Sequence, residues 1–213
     1  MDFTLWDIVR NLALAARWTV LLTLVAFVGG GVVGLATLLA RIDRRRWLRR
    51  AAEGYIAIFQ GTPLLLQLFL VFFGLPLLHV DIAPWVAATL GMTLYASAFL
   101  ADIWRGGVES IPRGQWDAAA ALGLHALTRL RLVILPQALR ITIPSTVGFL
   151  VQMVKATALT SIIGFNELMK TANAINNAVF APFTVYGIVA VAYFLLCFPL
   201  TSYARRLERA RNA

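Results

Sequence analysis

Residues 18–40 read WTVLLTLVAFVGGGVVGLATLLA, a run of 23 residues without a charge. A helix rises about 1.5 Å per residue, so roughly 20 apolar residues cross the hydrocarbon core of a bilayer. The run is long enough to span. Directly after it come Arg41, Arg44, Arg45, Arg46, Arg49 and Arg50, a basic cluster of the sort that stays cytoplasmic. This stretch places the chain in the membrane class. The whole-chain balance agrees, because only 14% of the 213 residues are charged and mean hydropathy is +0.78, whereas soluble domains carry about 25% charge.

Four further apolar runs follow, at 55–80, 82–100, 141–165 and 178–204. Together they predict an all-α membrane protein of five spans, folded as one transmembrane domain over 1–213, with no room for a separate catalytic domain. Arg105, Arg113, Arg129, Arg131 and Arg140 form a second basic group, and Arg205, Arg206, Arg209 and Arg211 a third. Five spans put all three groups on one side, fifteen of the 19 basic residues. The expected topology therefore has the N-terminus outside and the C-terminus in the cytoplasm. The net charge of +9 and pI of about 10.8 become a topology signal, and no nucleic-acid partner is expected.

At the N-terminus Leu5, Ile8, Val9 and Leu12 share a helical face, interrupted by Asp2, Asp7, Arg10 and Asn11. The segment 1–14 fits a helix lying on the outer membrane surface, or equally an amphipathic lead into the first span. Asp2 and Asp7 stand where a signal peptide would be basic, so the first run is expected to remain as an anchor. Cys197 is the single cysteine and sits in an apolar run as a packing residue.

The inner segment 105–140 is too long for a plain connector. It contains Asp117-Ala118-Ala119-Ala120-Ala121-Leu122-Gly123-Leu124. The alanines favour a helix with a small, smooth face, and Gly123 permits a break. A second short helix is expected before Leu135-Pro136 restarts the chain toward the next span. A small-faced helix projecting from a membrane domain suits docking into a groove on a soluble partner.

The spacing from Asp117-Ala118-Ala119 through Gly123 to Val133 and Leu135-Pro136 resembles the EAA loop of permease subunits in bacterial type I ABC importers. Flanking motifs are similar to the polar amino acid branch. They include Gly61-Thr62-Pro63-Leu64-Leu65, Arg105-Gly106-Gly107, Ile134-Leu135-Pro136-Gln137-Ala138 and Ser161-Ile162-Ile163-Gly164 with Glu167-Leu168. The resemblance covers about residue 18 to the C-terminus. It implies an inner (cytoplasmic) membrane permease that forms the pathway for polar amino acids. It further implies an ATP-binding cassette ATPase dimer, a second permease (identical or homologous) and a periplasmic or lipid-anchored solute-binding protein. Asp117, Ala118, Ala119, Leu122, Gly123 and Leu124 would couple to the ATPase. Asp117 stands where Glu is usual, and Val133 where Ile is common. A permease for another small solute, or an uncoupled channel or scaffold, are the alternative readings.

The chain lacks a nucleotide motif: Gly29 and Gly34 have the spacing, but Leu35 follows where Lys is required. No catalytic residue, metal site or cofactor is expected in this chain, and ATP hydrolysis is expected from a partner. Gly30 and Gly34 form a G-x-x-x-G pair for helix contact, either within the chain or between copies. Pro63 removes a helical N–H and predicts a kink at Thr62-Pro63 that either lines the pathway or is satisfied by Thr62. Lys155 is the one basic residue deep in a span. It is expected to face a polar interior with Thr157 and Ser161, or to pair with Asp102 or Glu167. Asp81, Glu167, Lys170, Asn173, Asn176 and Asn177 are expected outside, within reach of a solute-delivering protein.

Overall fold

A computed structural model describes residues 4–43 and 45–212. Asp2 and Arg44, and the side chain of Arg211, lie outside the described residues. Within them all regular structure is helical, and four helices are long and apolar enough to cross a membrane, or five with one bent pair.

Helix α1, Leu5–Ile42, is continuous for 38 residues. It starts early because Thr4 and Asp7 form a capping box: the Thr4 hydroxyl accepts from the Asp7 N–H (3.2 Å) and the Asp7 carboxylate from the Thr4 N–H (3.1 Å). Over 5–14 the chain is thus the lead into the first span and not a separate surface helix. Ile8 and Leu12 are buried against Leu168, Ala172 and Ile175 of α8 (Leu168–Val179) and Val185 and Val189 of α9 (Pro182–Asn212). The alternation of charge and apolarity marks a helix that buries one face against protein.

Helix α4, Pro84–Glu109, runs along α1. A Cβ built on Gly30 would lie 2.5 Å from the Cβ of Ala96, and one on Gly34 would lie 2.9 Å from the Ser97 carbonyl oxygen. The glycine pair therefore serves contact within the chain. At the far end of α4, Gly107 is pressed against Thr142 of α7 (Leu135–Ala156). Glycines thus hold α4 close to both neighbours.

The kink expected at Thr62-Pro63 in the span at 55–80 is a full break. The span divides into α2 (Arg46–Gly61) and α3 (Leu64–Leu77), whose axes are bent by 104°. Pro63 cannot continue the helix, so Thr62 and Pro63 take extended conformations. α2 packs its Ile56 against Ala98 and Ala101 of α4, and the Tyr55 hydroxyl donates to the Leu94 carbonyl (3.0 Å). α3 follows the other half of α4, with Leu68 against Gly91.

The inner segment holds α5 (Arg113–Ala121), a break, and α6 (Ala126–Arg129). Helix α7 starts at Leu135-Pro136 as expected, but with no gap before it. A π-turn over Leu130–Ile134 joins α6 to α7, and the helical path continues from Ala126 to Ser161. The wider turn accommodates Pro136, whose ring would clash with the carbonyl of a regular preceding turn.

Candidate functional site

Helix α5 and its break form an exposed elbow at the Arg105 end of the bundle. Gly123 has φ +73°, in the region that glycine adopts without steric cost, and the chain turns there between α5 and α6. The guanidinium of Arg129 lies 5.7 Å from the centre of the Trp116 ring and donates to the Trp116 carbonyl (3.4 Å), tying α6 back onto α5. Asp117, Ala118, Leu122 and Gly123 are exposed, Leu122 by 80%. Leu124 is half-buried, and Ala119 is turned inward at 3% exposure. Leu122 thus stands in the open directly after the small-faced helix.

At the same end of the bundle, charges tie α4 to α1. Asp102 of α4 pairs with Arg41 of α1 and with Arg105, both at 3.1 Å, and Arg105 also pairs with Glu109 at the end of α4. Arg41 and Arg105 belong to different basic clusters of the sequence, and the fold brings them to one end. Asp102 is thus engaged away from Lys155.

Lys155 is exposed on the outward face of α7, in line with Gln152, Gly148 and Ser145 at helical spacing. It opens on a groove of about 460 Å³ between α7 and α9, with Tyr193, Cys197, Thr201, Ser202 and Arg205 on the facing wall. Among the described residues Lys155 makes no ion pair. Thr157, Thr160 and Ser161 do not share its face. They lie buried in a 3-10 turn, and each hydroxyl donates to the carbonyl three residues earlier, of Val154, Thr157 and Ala158 respectively. Ser145, Gly148 and Gln152 went unsingled in the sequence. Their helical register with Lys155 was the available signal.

Thr62 and Pro63 lie at the break between α2 and α3. The Thr62 hydroxyl donates to the Ile58 carbonyl (2.7 Å), and the Gln67 amide donates to the carbonyls of Phe59 (2.9 Å) and Thr62 (3.0 Å). The carbonyls freed by Pro63 are therefore satisfied by protein, as backbone at membrane depth requires.

Glu167, expected in a solvated outer loop, is completely buried. Its Oε1 accepts from the Lys170 N–H (2.8 Å) at the start of α8, and its Oε2 from the hydroxyls of Tyr193 (3.1 Å) and Thr19 (3.3 Å). Thr19 in turn accepts from the Leu168 N–H (3.2 Å). Burial pushes this carboxyl above its ordinary range, against the opposing pull of the backbone N–H groups and hydroxyls. One side chain thus links α1, α8 and α9, and it does not pair with Lys155.

An all-helical bundle with a polar stripe on one outward face and an exposed helical elbow at one end has the make-up of a transporter subunit driven by another protein. The chain belongs to the family of inner membrane components of binding-protein-dependent transport systems, which matches residues 32–212. Among curated relatives, the probable amino-acid ABC transporter permease YckA of Bacillus subtilis is 32% identical, over 96% of this chain and 95% of the relative. The L-cystine transport system permease TcyB of the same organism is 33% identical, over 96% and 90%. Among solved structures, a crystal structure of an amino acid ABC transporter with histidines superposes with a TM-score of 0.92 at 29% identity, covering 99% of this chain and all of that one. The MetNI methionine ABC transporter shares the fold, with a TM-score of 0.71 at 22% identity. This protein is a multi-pass inner membrane permease component of an ABC importer, whose ATPase is a separate chain and whose solute comes from a binding protein.

Proposed function

We propose that this permease carries polar amino acids, and that the outward face of α7 forms a wall of the pathway. The observation that carries this reading is Lys155. Val154 of α7 packs against Cys197 of α9, which lies about 12 Å along the helix from Arg205 and about 22 Å from Pro182. Lys155 therefore stands within the span, nearer its Arg205 end, where exposure of an ammonium to lipid is unfavourable. A second permease covering this face around an aqueous path removes that cost, and the ammonium is then placed to meet the carboxylate that every amino acid carries. The relatives that carry amino acids support the solute class. Ser145 and Gln152 extend the polar lining along the same stripe.

In this reading an ATPase dimer receives the elbow, with Leu122 as the apolar contact and Asp117 as the charged one. Ala118 lets the surfaces approach, Gly123 sets the angle, and Ala119 and Leu124 support the elbow from within. ATP-driven closure moves α5 and, through the short 110–112 connection, the end of α4, and the Asp102–Arg41 pair carries the motion on to α1. Thr62 and Pro63 act by holding the α2–α3 bend, while Thr157 and Ser161 fix the turn after Lys155. The chain requires no cofactor of its own. The N-terminus lies outside and the C-terminus in the cytoplasm, supported by the meeting of two basic clusters through Asp102.

Reconstitution with the cognate ATPase and binding protein, followed by uptake of a labelled amino-acid panel, tests the solute class. Asp117→Lys and Gly123→Pro should assemble yet uncouple, since proline cannot adopt the positive φ at Gly123. Normal substrate-stimulated ATP hydrolysis and uptake in both variants would reject the docking assignment. Cysteines placed at Arg45 and Arg209 should resist an impermeant thiol reagent in intact cells, while one at Asn177 should label. The reverse pattern would invert the topology.

A further inference from the structure

The Trp18 end of α1 and the start of α4 enclose a groove of about 630 Å³, separate from the α7–α9 groove. Its walls are almost wholly apolar: Trp18, Leu21 and Val25 come from α1, Pro84 and Trp85 from α4, and Phe165 closes one end. Two tryptophans at one end of a bundle mark the level where hydrocarbon gives way to headgroups. Directly at that level Arg17 is exposed, with its guanidinium 5.5 Å from the centre of the Trp18 ring. Among the described residues Arg17 makes no ion pair. A cation stacked on a tryptophan that lines an apolar groove matches an amphipathic ligand with an anionic head and a hydrocarbon tail.

From this arrangement we propose a phospholipid site, with one acyl chain in the groove and the phosphate on Arg17. The face that carries the groove argues for lipid as the occupant. Leu14, Trp18, Leu21, Val25, Val28 and Val32 form an unbroken exposed stripe along α1, with no side chain for a polar solute. Guanidinium and phosphate form charge-assisted hydrogen bonds, and stacking on Trp18 holds the arginine next to a residue of the groove wall. The site stands on α1, α4 and the segment 164–166, and shares no lining residue with the groove at Lys155.

The test uses the assembled transporter, stripped of lipid in detergent and titrated with phosphatidylglycerol or phosphatidylethanolamine. Bound lipids per permease are counted by native mass spectrometry. The unaltered protein should hold phospholipid through the titration. Val25→Trp, which fills the groove, should lose it. Arg17→Gln should bind about fivefold more weakly, as expected for one interfacial cation. Arg17 is on the surface, so this variant decides the matter even if Val25→Trp fails to assemble. Equal lipid binding by Arg17→Gln and the unaltered protein overturns the proposal. So does efficient cross-linking of a Val25→Cys protein to another chain of the transporter in native membranes, which would make the groove a protein interface.

Discussion

Helices α1 and α7 both turn a long face away from the bundle, and the two faces are of opposite character. That of α1 carries Leu14, Trp18, Leu21, Val25, Val28, Val32, Leu35 and Leu39; that of α7 carries Ser145, Gly148, Gln152 and Lys155. Their glycines differ in the same sense. Gly30 of α1 has no space for a Cβ, whereas a Cβ on Gly148 of α7 would meet nothing within 4 Å. A glycine filling a tight seam is explained by the chain's own packing. Gly148, two turns from Lys155 on the polar face, has open space before it, which fits the proposed pathway. The contrast teaches that the tight seam of α1 is set by packing within the chain, while the open polar face of α7 is the one left for the proposed pathway.

The most damaging substitution should fall on α1. Gly30→Leu forces α1 off α4 along a seam that has no slack, and should cost more than about 3 kcal/mol. The measurement is the yield of monodisperse protein from membranes, and normal yield would break the packing side of the contrast. Glu167→Ala should cost about 3 kcal/mol of thermal stability, because the Lys170 N–H and the hydroxyls of Tyr193 and Thr19 lose their acceptor. Glu167→Gln keeps an acceptor and should cost less, so equal losses would show that the site needs charge. Lys155→Met should lower uptake per assembled transporter about tenfold, equivalent to about 1.4 kcal/mol, with thermal stability unchanged or raised. Unchanged uptake would remove Lys155 from the pathway. Val32→Ala, on the outward face of α1, should shift stability by less than about 0.5 kcal/mol. A larger loss would place protein against that face.

The spans α1 and α4 were legible because their apolarity is uninterrupted. The first three turns of α1 were obscured by Asp7 and Arg10, whose charges resemble a solvated helix until α8 and α9 are in place to bury Ile8 and Leu12. The break at Pro63 could be read, but its 104° angle depends on how α2 and α3 seat on α4. The elbow was readable from Asp117 to Gly123, because propensity and a positive-φ glycine are local properties. That Ala119 faces inward depends on tertiary contacts. Glu167 was misplaced for a related reason. A lone acid between spans looks solvated, and its partners Thr19 and Tyr193 are 148 and 26 residues away.

The brevity of α3 bears on how the protein is made. Its 14 residues rise only about 21 Å, short of the roughly 30 Å that an independent span must cross. Six residues separate it from α4, and Leu68 lies against Gly91 as soon as the two helices fold back on each other. During synthesis the segment therefore has reason to wait at the translocon until α4 emerges, and to enter the bilayer as a hairpin with it. Bulk added at Gly91 would then be felt first as a defect of insertion in the nascent chain, before any finished transporter exists to be assayed.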